Sequence, residues 1–155
     1  MGAGIATACL QAGLSVTMVE RDEDTLRAGL ERVDAAIGKA LSIGKMSKIR
    51  ANAAKEAFRG VTDYANLGDC DLVIEAVFED MDVKKDVFAK LDAVTRPNAV
   101  LATNTSYLNV DEIAQAVNDP RRVIGLHFFS PAHVMRLLEV IVTAKASADA
   151  LATGI

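Results

Sequence analysis

Short apolar runs that alternate with longer segments of helical period constrain this chain more than any other feature of its sequence. The runs Val16–Glu20, Leu72–Val77 and Ala99–Thr103 have the length and residue types of buried strands. From Asp22 to about Leu41, apolar residues recur every three or four positions, which indicates an amphipathic helix. This alternation is typical of βαβ units. We therefore predict a doubly wound α/β fold with a mainly parallel sheet.

The remaining elements are predicted from the same periodicity and from turn residues. A helical stretch interrupted around Gly44 is expected next, and Asn109 or Asp111 is expected to cap a short helix because each side chain can accept from free N–H groups. A further helix is expected to begin near the end of the chain. The predicted bounds are helices over 42–58, 82–94 and 113–117, and strands over 123–127 and 137–142.

Length, composition and charge exclude several classes of protein. A chain of 155 residues that is 51% hydrophobic fits one domain, spanning residues 1–155. Its net charge of −4 and the lack of any long run of one sign argue against a nucleic-acid partner. No stretch approaches the ~20 apolar residues of a membrane-spanning helix, and no basic segment opens a secretory signal. We expect a cytoplasmic protein without a membrane partner or a metal.

The first residues resemble the middle of a dinucleotide-binding motif. Gly2 fits the third glycine of G-x-G-x-x-G, and Glu20 fits the acid that follows it by about 20 positions and accepts from ribose hydroxyls. Taken alone this match is weak, because both residue types are common at such places. A carboxylate at Glu20 would repel a 2′-phosphate, so NAD is favoured over NADP. The fold is thus predicted to be Rossmann-like but to lack its first strand.

Polar residues follow three different predicted strands. Glu79 comes after the strand that begins at Leu72, Asn104 and Ser106 follow Thr103, and His127 ends the next strand. In an open α/β sheet, ligands bind beyond the carboxyl ends of the strands, so these side chains are expected to converge. Each residue on its own is also explained as a helix cap or a turn residue.

A histidine and an acid lie twelve positions apart near the end of the chain. Glu139 sits between large apolar residues, so we expect it to be buried and to need a partner. His127 is the nearest suitable partner if the turn at Pro131 folds the two strands together. Such a pair would fix the imidazole tautomer and stabilise its protonated form, as a general base requires. His133, in contrast, is predicted to lie on the surface.

Five segments together resemble a known family. They are Met1–Ala6, Val73–Asp80, Thr103–Ser106, Gly125–Pro131 and Leu138–Val140, and they span nearly the whole chain. In order and spacing they are similar to the NAD-binding domain of the 3-hydroxyacyl-CoA dehydrogenases, including the form fused to enoyl-CoA hydratase. The resemblance implies NAD-dependent oxidation of an (S)-3-hydroxyacyl-CoA to the 3-oxoacyl-CoA in fatty-acid or related acyl-CoA breakdown.

The resemblance also implies a role for each matching residue. His127 matches the catalytic base, Glu139 the acid that orients it, and Ser106 the hydroxyl that holds the reacting oxygen of the substrate. Lys45 and Lys48 lie where relatives bind the phosphates of coenzyme A, although a charged helix face is more often simply solvated. The residues matched to cofactor binding are Gly2, Glu20, Glu79, Lys84 and Asn104.

Departures from the family pattern define the alternatives. The first two glycines of the phosphate turn, the strand before them and the family's C-terminal helical domain are absent, so the domain is expected to be N-terminally incomplete.

The resemblance implies that the full-length protein is a homodimer or part of a multifunctional complex. A catalytically silent nucleotide-binding or assembly fragment is the alternative, and a hydroxyacid dehydrogenase with a lysine base is a third reading. Tyr107 stands where many relatives have serine.

Overall fold

The computed structural model describes all residues from 1 to 155, and the chain divides into two compact units. The first unit comprises Met1–Asp63 and Phe129–Arg136. Its elements are α1 (Gly2–Gln11), β1 (Val16–Val19), α2 (Glu23–Ser42), α3 (Lys48–Glu56) and β2 (Phe58–Val61). Strands β1 and β2 pair in parallel and form a two-stranded sheet.

Strand β2 corrects the prediction of a helical stretch from Ser42 to Phe58. Helix α3 ends at Glu56, and Phe58–Val61 pairs residue for residue with Val16–Val19. The local sequence does not show this strand, since its pairing is what defines it. A Cβ at Gly60 would lie 2.6 Å from Leu26 Cδ1, so a larger residue there would require the leucine side chains of α2 to shift. The predicted interruption at Gly44 is confirmed, because its φ of +70° lies in the left-handed region.

The second unit comprises Tyr64–Phe128 and Leu137–Ile155. Its elements are β3 (Leu72–Glu75), α4 (Met81–Val94), β4 (Val100–Thr103), α5 (Val110–Ala114), β5 (Val123–Phe128), β6 (Leu138–Ile141) and α6 (Ala148–Gly154). Short 3₁₀ segments cover Tyr64–Leu67 and Pro120–Arg122. The four strands form one sheet in the order β3-β4-β5-β6, with β3, β4 and β5 parallel and β6 antiparallel to β5.

The α/β, parallel-dominated architecture is therefore Rossmann-like, as predicted, but its strands form two sheets instead of one. In the usual doubly wound order, one strand lies between the second and the fourth. In residues 1–155 the first element is α1, and the six strands are β1 and β2 in one sheet and β3 to β6 in the other.

Side chains of β4 and β5 form the core of the second unit. Ala102, Ile124 and Leu126 are buried beneath α6, which contributes Ala150. Each large aliphatic side chain buried in this way stabilises the fold by roughly 1.5–3 kcal/mol. The strand ends that carry polar residues are thus anchored on a packed sheet.

Several predicted bounds were wrong by a few residues. Strand β3 ends at Glu75 instead of Val77, and the helix predicted over 113–117 covers Val110–Ala114. Its cap is Asn109, whose side chain accepts from the Asp111 N–H. This accounts for the shift, because the helix begins directly after the residue that caps it.

Candidate functional site

The antiparallel pairing of β5 with β6 places His127 directly opposite Glu139. The imidazole Nδ1 lies 2.8 Å from Glu139 Oε2, so the predicted contact between these two side chains is present. The register depends on Gly125, because a Cβ there would lie only 2.7 Å from the Cβ of Ile141. When Nδ1–H donates to the carboxylate, the neutral ring carries its lone pair on Nε2, the nitrogen that can take a proton.

The side chains of His127 and Glu139 are more exposed to solvent than predicted. The Glu139 side chain is 54% exposed, whereas that of His127 is 18% exposed, so the expectation of a buried Glu139 is wrong. The physical reason is the position of β6 at the edge of the sheet, where only β5 adjoins it. Glu139 therefore keeps much of its hydration, and the contact does not carry the cost of a buried charge.

The turn after β4 carries Ser106 and is held by Glu79. The Ser106 N–H donates to Glu79 Oε1 at 2.9 Å, and the hydroxyl of Thr105 donates to the same oxygen. Thr105 in turn accepts from the Leu108 N–H at 3.0 Å. Two of the residues predicted from separate strand ends, Glu79 and Ser106, are therefore in direct contact.

These contacts lower the pKa of Glu79. Partial burial by itself raises the pKa of the carboxyl, but the hydrogen bonds from Thr105 and Ser106 and the nearby charge of Lys84 outweigh it. Glu79 is thus held as a carboxylate that accepts hydrogen bonds from the turn.

One pocket brings the predicted catalytic residues together. Its volume is about 240 Å³, and it lies among the turn after β4, the start of α5 and the facing strands β5 and β6. His127, Glu139 and Ser106 all line it. The other lining residues are Thr105, Tyr107, Leu108, Asn109, Val110, Asp111, Ile141, Val142 and Thr143.

Lys84 has a different place from the one predicted. Its side chain is 0% exposed, so it does not line an open cleft, and its Nζ lies 2.8 Å from Glu75 Oε1 and 3.3 Å from Glu79 Oε2. A fully buried ammonium requires such partners, because water is not available to it. Lys84 therefore contacts the site only through Glu79.

Glu75 is the buried partner that the sequence analysis missed. Its carboxylate also accepts from the Val77 N–H at 2.7 Å and from the Thr103 hydroxyl at 2.7 Å. Glu75 thereby joins the end of β3 to the end of β4 and to α4. The signal in the sequence was an ionisable residue inside the apolar run 72–77, which is costly unless it is paired.

Asn104 joins the ends of β4 and β5. Its Oδ1 accepts from the Phe128 N–H at 2.7 Å, one residue beyond His127. Its own N–H donates to the backbone carbonyl of Glu75 at 2.8 Å. Asn104 is thus fixed next to the end of β5 that carries His127, as the convergence of strand ends predicts.

The first unit holds the other two predicted cofactor residues. Gly2 begins α1, whose first turn carries no acidic residue and whose N-cap, Met1, makes no side-chain capping bond. A Cβ at Gly2 would meet nothing within 4 Å, so no close packing within residues 1–155 requires glycine there. Glu20 directly follows β1, and its N–H donates to the Val61 carbonyl at 3.1 Å. A helix start without an acidic residue and an acid directly after a strand are the residue types that dinucleotide binding requires.

Two further predictions concern residues of the first unit. Lys45 and Lys48 are exposed near the start of α3, where their ammonium groups are accessible to an anion. His133 was predicted to lie on the surface, but it is half-buried, and its Nδ1 is buried without a hydrogen-bond partner. Ala132, next to it, packs against Gly4 of α1, which explains the burial.

Two kinds of feature are absent from residues 1–155. His, Cys, Asp and Glu side chains nowhere gather in threes in the way that a metal ion would need. None of the helices combines the length and the apolar character that a membrane crossing requires.

Comparison with protein families matches residues 1–155 to the 3-hydroxyacyl-CoA dehydrogenase, NAD binding domain. The chain belongs to this family. It is 44% identical over 153 residues to the peroxisomal bifunctional enzyme of Cavia porcellus, covering 99% of this chain and 21% of that protein. It is 43% identical over 144 residues to the 3-hydroxybutyryl-CoA dehydrogenase of Mycobacterium tuberculosis, covering 92% of this chain and 50% of that protein.

Solved structures show the same fold. The crystal structure of FadB2 from Mycobacterium tuberculosis matches with a TM-score of 0.94 and 41% identity, covering 98% of this chain and 54% of that one. The chain thus spans between a fifth and about half of the relatives it matches. The predictions of the family, of the Rossmann-like α/β fold and of NAD as the cofactor are confirmed.

Proposed function

We propose that this chain is the cofactor-binding portion of an enzyme that oxidises (S)-3-hydroxyacyl-CoA to 3-oxoacyl-CoA in fatty-acid or related acyl-CoA breakdown. The observation that carries the proposal is the contact between His127 and Glu139 in a pocket that Ser106 also lines. The names of its relatives, a peroxisomal bifunctional enzyme and a 3-hydroxybutyryl-CoA dehydrogenase, support the same reaction.

In the proposed reaction, His127 Nε2 takes the proton of the substrate 3-hydroxyl while a hydride leaves C3. NAD, when bound, supplies the acceptor for that hydride. Glu139 holds the Nδ1–H and stabilises the imidazolium that forms, since their atoms already lie 2.8 Å apart. Ser106 donates a hydrogen bond to the reacting oxygen and so positions it. Substrate carbon C3 is oxidised by the loss of one hydride and one proton.

Cofactor binding is proposed for residues of both units. Gly2, at the start of α1, would lie near the pyrophosphate of NAD, and the Glu20 carboxylate would accept from the ribose hydroxyls. Asn104 and Glu79 would hold the nicotinamide end, with Lys84 acting only through Glu79. Lys45 and Lys48 bind phosphates of coenzyme A.

Two measurements on the chain test this function. Calorimetry with NADH is expected to show binding, and acetoacetyl-CoA is expected to be reduced with loss of NADH absorbance. Absence of NADH binding would overturn the cofactor assignment. Turnover of a small 3-hydroxy acid in place of the CoA thioester would overturn the substrate class.

A catalytically silent nucleotide-binding or assembly module is the second candidate. The observation that favours it is the coverage of relatives, since the chain spans only 21% of the bifunctional enzyme that it resembles. NADH binding without any reduction of acetoacetyl-CoA would support this candidate. For the full-length protein we propose a homodimer or a place in a multifunctional complex, which mass measurement in solution would test.

A further inference from the structure

Tyr107 is an exposed aromatic residue in the candidate pocket. Its side chain directly follows Ser106, is 73% exposed and lines the same pocket as His127. Phe78 is the other strongly exposed aromatic residue, at 80%, but it does not line the pocket. The Tyr107 ring is too open to stabilise the core, so its position beside the reacting groups calls for another explanation.

Hydrogen bonds to Thr105 hold the backbone that carries Tyr107. Thr105 Oγ1 accepts from the Tyr107 N–H at 3.4 Å and from the Leu108 N–H at 3.0 Å. Thr105 itself is 3% exposed and is held by Glu79. A tyrosine on a rigid turn offers a large contact area at a small cost in conformational entropy, because only two side-chain torsions must be fixed.

The chemistry of the pocket selects which part of an acyl-CoA it accepts. Its lining includes the apolar residues Leu108, Val110 and Val142, and its ionisable groups other than His127 and Tyr107 are the carboxyls of Asp111 and Glu139. No lysine or arginine lines it. The phosphates of coenzyme A would be repelled here, whereas the neutral acyl end matches the surface.

The size of the pocket limits the acyl group. Its volume of about 240 Å³ lies below the roughly 300–1,000 Å³ of common ligand pockets. A short acyl chain fits this space, whereas a longer chain would extend beyond it.

We propose that Tyr107 determines the acyl-chain specificity of this enzyme. Its ring forms the wall against which the carbons beyond C3 lie, and its bulk favours short chains over long ones. This inference rests on the proposed function and adds to it the class of substrate: short-chain 3-hydroxyacyl thioesters.

A comparison of two substrates tests the inference. For each variant, kcat/KM is measured with 3-hydroxybutyryl-CoA and with 3-hydroxydodecanoyl-CoA. Tyr107→Ala is expected to shift the ratio toward the longer substrate by about tenfold or more, the scale on which pocket contacts discriminate. Tyr107→Phe keeps the ring and is expected to keep the wild-type ratio, as is the control Phe78→Ala. An unchanged ratio in Tyr107→Ala would overturn the inference.

A second readout does not depend on turnover. The chain has two tyrosines and no tryptophan, so Tyr64→Phe leaves Tyr107 as its only tyrosine. The probe is the N-acetylcysteamine thioester of 3-hydroxybutyrate, which lacks both adenine and phosphate. Its binding, followed in parallel by calorimetry, is expected to change the Tyr107 emission with the same saturation curve.

The two readouts separate the inference from the function on which it rests. Thioester turnover by the wild-type chain, together with unchanged Tyr107 emission on binding, overturns the inference alone. If the wild-type chain neither binds nor turns over either thioester, the proposed function and the inference are both overturned.

Discussion

Two acid–base pairs in the second unit differ sharply in exposure. Glu75 and Lys84 are 1% and 0% exposed, whereas Glu139 and His127 are 54% and 18% exposed. The buried pair has its charges satisfied by fixed partners and cannot meet a substrate. The open pair keeps water on its acid and lines a pocket. One pair therefore holds the strand ends together, and the other is available for proton transfer.

Removing the imidazole gives the largest expected effect on the open pair. His127→Gln is expected to lower the turnover of acyl-CoA about 10²–10⁴-fold, the usual contribution of a general base. NADH affinity, measured by calorimetry, is expected to stay at the wild-type value. The control is His133→Gln, the chain's other histidine, for which turnover is expected to be unchanged. Turnover of His127→Gln close to wild type would exclude the assignment of the base.

Removing the ammonium group of Lys84 tests whether the buried pair with Glu75 stabilises the fold. Lys84→Met leaves the Glu75 carboxylate buried without its cation. The free energy of unfolding, measured in urea, is therefore expected to fall by about 3–5 kcal/mol. The added change Glu75→Gln is expected to restore part of this loss. The matched control on the same helix is Lys90→Met, whose ion pair with Asp86 is exposed to solvent and is expected to contribute little to stability. Equal losses of unfolding free energy in Lys84→Met and Lys90→Met would contradict the prediction that the buried pair is the more stabilising one.

The open pair should affect turnover more than stability. Glu139→Gln removes the charge that orients and stabilises the imidazolium, so turnover is expected to fall by about 10–10²-fold, a part of the general-base contribution. The free energy of unfolding is expected to change by less than about 1 kcal/mol, since the carboxylate is half-exposed. A large loss of stability with unchanged turnover would show that Glu139 is structural.

Glu79 lies between the two pairs and gives the smallest expected effect. Its pKa is lowered in the folded chain, so its ionisation stabilises the fold at pH values above its unfolded-state pKa. This contribution is lost as the pH falls through the folded-state pKa. Glu79→Gln is therefore expected to lower the free energy of unfolding by about 0.5–1 kcal/mol near neutral pH and by less in acid. Urea unfolding at several pH values measures the difference in unfolding free energy between the wild type and Glu79→Gln. A difference that grows as the pH falls would contradict the prediction.

Local sequence predicted the contact between His127 and Glu139 but not the exposure of the charged side chains. His127 and Glu139 were predicted to meet because a turn near Pro131 separates two strand-like runs. The burial of Glu139 was predicted from its apolar neighbours in the chain, and that prediction failed because exposure depends on neighbouring strands. Lys84 was matched to the cofactor cleft through the family resemblance, yet its side chain is buried against the carboxylate of Glu75.

Short elements were the least predictable part of the fold. Strand β2 has four residues and no clear alternation, so only its pairing with β1 identifies it. The long helix α2, in contrast, was predicted to within a residue or two, because its apolar spacing repeats over several turns.

The sequence by itself determined the α/β class, the order of the main strands and helices, and which polar residues follow strand ends. These are local properties, since hydrophobic period and turn chemistry act between near neighbours in the chain. Only the tertiary structure decided that Glu139 is open, that Lys84 is enclosed and that Glu79 holds the Ser106 turn. Each of these depends on groups that are distant in sequence, and the free energy of a charge is set by what surrounds it in space.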